Sequence, residues 1–97
     1  MHIVSVKTLR EFWQDHADAE SALKFCFREA RTATWTSFDD VRARFRSADV
    51  LPGNRVVFNI RGNNYRLIVH IHYNTGRLFI RFIGTHAEYN KINGETI

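Results

Sequence analysis

Cysteine is almost missing from this chain of 97 residues: Cys26 stands alone, so no disulfide can form within it and no cysteine-built zinc site is available. A reducing, cytoplasmic setting suits such a chain, and a thiol without a partner is expected in the core. Proline occurs once, at Pro52, and no segment is repeated or low in complexity. Long hydrophobic runs are lacking too. The apolar stretches are broken by Arg, His or Asn, and none reads as a membrane span. Met1-His2-Ile3-Val4-Ser5 has neither the charged region nor the long apolar region of a secretion signal.

What is present is apolar and aromatic. With 44% hydrophobic and 13% aromatic residues, the chain can bury one core, and a single domain over residues 1–97 is expected. Acidic residues are scarce in one half only. Residues 1–54 hold eight Lys or Arg against eight Asp or Glu, whereas residues 55–97 hold six against Glu88 and Glu95, so the second half carries the whole net charge of +4. Tyr65, Tyr73 and Tyr89 interleave with those cations, as on a surface that attracts phosphates and stacks bases. A solvated sheet face on a basic protein accounts for the same charge.

The periodicity predicts helices first and strands after. His2-Ile3-Val4-Ser5-Val6 reads as a short strand leading into a helix from Lys7 to about His16, with Leu9, Phe12, Trp13 and His16 on one face. Ser5, or a Thr8/Glu11 capping box, would start it. A second helix from about Asp18 to Thr32 buries Ala19, Ala22, Leu23, Cys26, Phe27 and Ala30. Thr36 or Ser37 caps a third helix through Phe38, Val41 and Phe45 that stops near Arg46, with Asp39 and Asp40 at its positive end. Residues 47–54, with Pro52 and Gly53, read as a loop.

From Arg55 the period becomes two. Strands at residues 55–61, 65–73 and 77–83, joined by turns at Gly62-Asn63-Asn64 and Asn74-Thr75-Gly76, make an antiparallel meander. Alternation puts Arg66, Ile68, His70 and His72 on one face of the central strand and Tyr65, Leu67, Val69 and Ile71 on the other. Thr85-His86-Ala87-Glu88 is a capping box that opens a short helix through Lys91, and Asn93-Gly94-Glu95 reads as a fraying tail. The fold class is therefore α+β: a short N-terminal strand, two to three helices on a mainly antiparallel sheet, and a short C-terminal helix.

Several fragments, in this order and spacing, resemble the HigB-type toxins of bacterial type II toxin–antitoxin modules, within the broader RelE-like superfamily. They are Phe58-Asn59-Ile60, Gly62-Asn63, Tyr65-Arg66-Leu67-Ile68, His72-Tyr73, Phe79-Ile80-Arg81 and Thr85-His86-Ala87-Glu88-Tyr89. The resemblance implies a ribosome-dependent mRNA endoribonuclease that inhibits translation. It also implies a partner antitoxin with a helix-turn-helix domain (HigA-like), which holds the toxin in a hetero-oligomer. Ribosome and mRNA are the other implied partners, and no cofactor is implied.

Strand cleavage by the RNA's own 2′-hydroxyl needs a base, a cation for the pentavalent phosphate and an acid for the leaving oxygen, and no metal. By resemblance, Arg66 is the arginine at the scissile phosphate and Arg81 a second phosphate clamp. His86 is the proton-transfer group and Tyr89 orients or stacks on the base at the cut. Arg61, Asn63, Tyr65, His72 and Lys91 are expected to bind RNA. Where RelE carries lysines on the preceding strand, this chain has Val57 and Asn59, so the base is not inherited from there. His70 and His72 with His86 would be three imidazoles lacking an acidic or thiolate fourth ligand, which argues against a metal. The competing function class is a catalytically silent basic module that binds RNA or a protein partner without cutting.

Overall fold

The structure is a computed structural model that describes residues 1–94 and Ile97. The element order is β1 (His2–Val4), α1 (Val6–Asp15), a 3-10 turn (Ala17–Ala19), α2 (Glu20–Thr32), α3 (Phe38–Arg44), β2 (Asp49–Leu51), β3 (Arg55–Ile60), β4 (Tyr65–His72), β5 (Arg77–Thr85) and α4 (His86–Asn90). The strands make one five-stranded sheet in the order β1-β5-β4-β3-β2. Strands β2 to β5 run antiparallel, while β1 joins β5 in parallel, with α1, α2 and α3 in the connection from β1. This is the α+β arrangement expected of the chain. No helix among the described residues is long and apolar enough to cross a membrane.

The helical stripe drives the packing. Leu9 of α1, Leu23, Cys26 and Ala30 of α2, and Val41 of α3 are buried against Val56, Phe58, Ile60, Leu67, Val69, Ile71, Leu78 and Ile80 of the sheet. Phe12, Trp13, Phe38 and Phe45 pack at the margin of that core. Cys26 lies within it, and burial pushes its thiol up to about 12.

Several local expectations shift. Strand β1 stops at Val4 because Ser5 takes a left-handed conformation, φ 75°; Ser5 is the helix N-cap, but its side chain makes no cap hydrogen bond. Thr8 lies inside α1, and Glu11 pairs with Lys7 at 3.6 Å instead of closing a capping box. Of Thr36 and Ser37, Ser37 is the N-cap of α3 but makes no side-chain cap hydrogen bond; the main-chain N–H and hydroxyl of Thr36 donate to Asp40 and hold its carboxyl below its usual range. The stretch expected as a loop contains β2, which pairs with Arg55–Val57 of β3. Three residues are too few to show an alternation, so that strand forms on the template of β3.

The face of the sheet turned away from the helices, here the outer face, has a small apolar layer of its own. Val57 and Ile68 are buried outside the main core. The segment after α4 lies over Ile68 and Leu51: a Cβ on Gly94 would lie 2.8 Å from Leu51 Cδ1 and 3.4 Å from Ile68 Cδ1, and Arg55 Nε donates to the Ile97 main-chain oxygen at 2.9 Å. Of the expected tail, Glu95 lies outside the described residues. Helix α4 itself starts on the capping box read from the sequence. The Glu88 N–H donates to Thr85 Oγ1 at 3.1 Å, and the Thr85 N–H donates to Glu88 Oε1 at 2.9 Å.

Candidate active site

Arg66 occupies the middle of the outer face, paired across the ladder with Asn59 on β3 and Gly84 on β5. Its Nε is buried with no hydrogen-bond partner in the protein, and so is the Oδ1 of neighbouring Asn59, whose Nδ2 donates to the Ser47 carbonyl. A buried polar atom left without a partner costs about 1–3 kcal/mol, so a donor and an acceptor side by side here form a place poised for a polar ligand. The guanidinium carbon of Arg66 lies 5.0 Å from the centroid of the Tyr89 ring, and Tyr89 in turn lies 6.5 Å from Phe82.

Gly84 makes that stack possible. A Cβ there would meet Phe82 Cζ at 2.6 Å and Glu88 Oε1 at 3.2 Å, so only a glycine lets the Phe82 ring fold over β5 and receive α4. Phe82 reaches the outer face because β5 is irregular: Ile68 pairs with Phe82 and Val69 with Ile80, leaving Arg81 unpaired between them. The exposed Arg81 guanidinium stands 5.8 Å from the Phe79 ring. Arg66, Arg77 and Arg81 share the outer face and, among the described residues, enter no ion pair. That face is thus rich in unpaired guanidinium groups.

His86 opens α4 where the hairpin turn comes close, its N–H donating to the Asn64 carbonyl at 3.2 Å. Its Nδ1 lies 3.2 Å from Asn90 Nδ2. With the amide donating, the neutral ring carries its proton on Nε2. Asn63 is exposed in the same turn, and Lys91 caps the C-terminus of α4. The Thr85 N–H, with a smaller contribution from the charge of Lys91, holds the Glu88 carboxyl below its usual range.

The remaining candidates are divided between the two faces. Tyr65 is 8% exposed on the helix side, its hydroxyl donating to Asp18 at 2.5 Å, and Arg61 donates to the other oxygen of Asp18 at 2.6 Å. That pair clamps the hairpin to the 3-10 turn on the side opposite Arg66. His72 is on the outer face, further along β4, with its ring 4.5 Å from His70 and 5.0 Å from Phe79. Burial, then the charges of His72, Arg55 and Arg81, keep His70 below its ordinary range, against the opposing pull of the Gly53 main-chain carbonyl as acceptor. No group of three His, Cys, Asp or Glu among the described residues is placed to hold a metal ion.

Phe82, Gly84 and the positioning of Asn59 are not legible in the residue pattern. Their signal lies in register, which depends on the turn length and the irregularity in β5 and not on residue type.

Comparison with known proteins places this geometry in context. Residues 19–92 match the HigB toxin family, described as the RelE-like toxic component of a toxin–antitoxin system. Over 94 residues the chain is 28% identical to the mRNA interferase HigB of Escherichia coli O6:H1 strain CFT073, covering 95% of this chain and 91% of the relative. Helices on one face of a mixed sheet, a capped C-terminal helix on the other face and a family match over most of its length together show that the chain belongs to the HigB family, the RelE-like toxins of toxin–antitoxin systems.

Proposed function

We propose that this toxin is an mRNA endoribonuclease that cuts translated message on the ribosome by attack of the RNA 2′-hydroxyl, with no metal taking part. The observation that carries it is Arg66: a guanidinium on an open sheet face, propped on Tyr89, unmatched by any carboxylate among the described residues and with an unsatisfied Nε beside the unsatisfied Oδ1 of Asn59. A planar cation with free N–H groups is suited to the extra charge of a pentavalent phosphate. The name of the E. coli relative, an mRNA interferase, supports the same chemistry.

In this scheme the 2′-oxygen attacks phosphorus as His86 withdraws its proton. The P–O5′ bond breaks, and the 5′-oxygen takes a proton from water, whose hydroxide removes the proton held by His86, leaving a 2′,3′-cyclic phosphate and a 5′-hydroxyl. Arg66 and Arg81 bear the phosphate charge, Tyr89 stacks on the base at the cut, and Lys91 and Asn63 hold flanking nucleotides. Arg61 and Tyr65, engaged by Asp18 on the other face, act in folding and not in RNA binding. A helix-turn-helix antitoxin is the partner that keeps the toxin silent.

The test is primer extension on a defined mRNA in a purified translation system, with and without ribosomes, together with identification of the product ends. Cuts confined to translated message, ending in a cyclic phosphate, are expected. Folded, antitoxin-free protein that makes no cuts would turn the assignment toward a binding module without catalysis.

A further inference from the structure

The outer face has a second polar hollow that the cleavage scheme does not use. Asn54, His70, His72, Tyr73 and Asn74 line a pocket of about 350 Å³ beyond the C-terminal end of the sheet face occupied by Arg66. His70 lies on the same face of β4 as Arg66, roughly 13 Å along the strand at the usual rise per residue. The segment around Gly94 crosses the sheet between them, over Ile68 and Leu51. Arg81, unpaired opposite Ile68 and Val69, stands on the uncovered β5 side of that crossing.

Three rings form a tier on one wall, with His72 between His70 and Phe79 at 4.5 and 5.0 Å. His72 is exposed, so its ring lacks a neighbour on the solvent side. His70 Nδ1 is buried without a partner, and the side-chain amides of Asn54 and Asn74 are available at the rim. Cations stand close by: Arg55 and Arg81 both act on the His70 ring through their charge. Aromatic faces, amide groups and flanking guanidinium groups are the chemistry of a slot for an unpaired nucleobase, with the amides reading its edge.

We propose that this hollow is a second RNA subsite, a nucleobase slot in which one base of single-stranded RNA stacks on His72 while Arg81 guides the backbone from Arg66 around the Gly94 crossing. The assignment rests on the proposed ribonuclease function and fixes the path of the message across the sheet. Bases held in the slot are displaced from the cut by the distance between Arg66 and His70, so the slot governs sequence preference beside the cut and not the chemical step.

Short homopolymeric hexaribonucleotides, with 2′-O-methyl sugars so that they cannot be cut, are the probe, added to the intact free toxin. The imidazole proton resonances of His2, His16, His70, His72 and His86 report their binding. Shifts at His70 and His72, with His2 and His16 unmoved, are expected, and His72→Ala weakens binding at least about fivefold. Because His72 is exposed, that variant keeps the fold, and His72→Phe restores affinity by restoring the stacking surface. Hexamers that leave His70 and His72 unmoved would overturn the slot, as would inorganic phosphate alone producing the same shifts. If the imidazoles respond while translated mRNA is not cut, the slot stands and the nuclease assignment fails; if message is cut without any imidazole response, the nuclease assignment stands and the slot fails.

Discussion

Arg66 and Tyr89 come from a central strand and a terminal helix, yet the guanidinium carbon of one lies 5.0 Å from the ring centroid of the other. The ring fixes the plane of a cation that has no ion-pair partner among the described residues. Tyr89→Phe keeps the stack and is expected to retain most of the cleavage activity, whereas Tyr89→Ala frees the guanidinium and lowers the rate about tenfold, the scale of a desolvated cation–π contact. Equal losses in the two variants, measured in single-turnover cleavage, would assign the effect to the hydroxyl.

Gly84 tests whether that stack is set by the sheet beneath it. Its added Cβ would collide with Phe82 Cζ at 2.6 Å and approach Glu88 Oε1 at 3.2 Å. Gly84→Ala is expected to cost about 1 kcal/mol of stability as an overpacked site. Its effect on cleavage should be larger than its effect on thermal denaturation, because the ring that moves is the one supporting Tyr89. A variant that is fully active and no less stable would show that the stack is not built this way.

Tyr65 supplies the opposite control. Its hydroxyl donates to Asp18, and Asp18 also receives Arg61, which holds the Asp18 carboxyl below its usual range, with the Tyr65 bond as the main cause. Tyr65→Phe should lower the thermal midpoint and leave cleavage unchanged. Loss of cleavage in a variant that melts like the wild type would return Tyr65 to the RNA-binding surface.

Acid should loosen the fold through His70. Burial and neighbouring cations depress its folded value, so the unfolded chain binds the proton more readily. Stability is therefore complete above the ordinary histidine range, about 6.5, and falls as the pH drops through that range toward the depressed folded value. In thermal denaturation between about pH 7.5 and 5.5, a range that brackets the ordinary histidine value of about 6.5, His70→Gln should flatten part of the decline. An unchanged slope would clear His70 of the effect.

The helices, the meander and the capped last helix were legible because each rests on a local signal: the stripe through Leu23, Cys26 and Ala30, the period of two around Arg66, and the Thr85/Glu88 box. What escaped depends on register. A turn of Gly62-Asn63-Asn64 alone would set Asn59 opposite Leu67, but the turn begins at Arg61, φ 52°, and Asn64 N–H bonds back to the Arg61 carbonyl, which sets Asn59 opposite Arg66. In β5 the extra residue at Arg81 inverts the alternation after it, bringing Phe82 out and Ile83 in. Tyr65 looked like a base-stacking tyrosine by composition. The structure sets it on the helix side of the sheet, 8% exposed and bonded to the distant Asp18.

Arg66→Ala in single-turnover cleavage of message on programmed ribosomes bears most directly on the account, with circular dichroism confirming the fold. Removing a group that stabilises charge only in the transition state is expected to cost about 10²–10³ in rate, with Arg66→Lys in between because it keeps the charge and loses the fork. Cleavage by Arg66→Ala at the wild-type rate would place the chemistry elsewhere than on this face of the sheet.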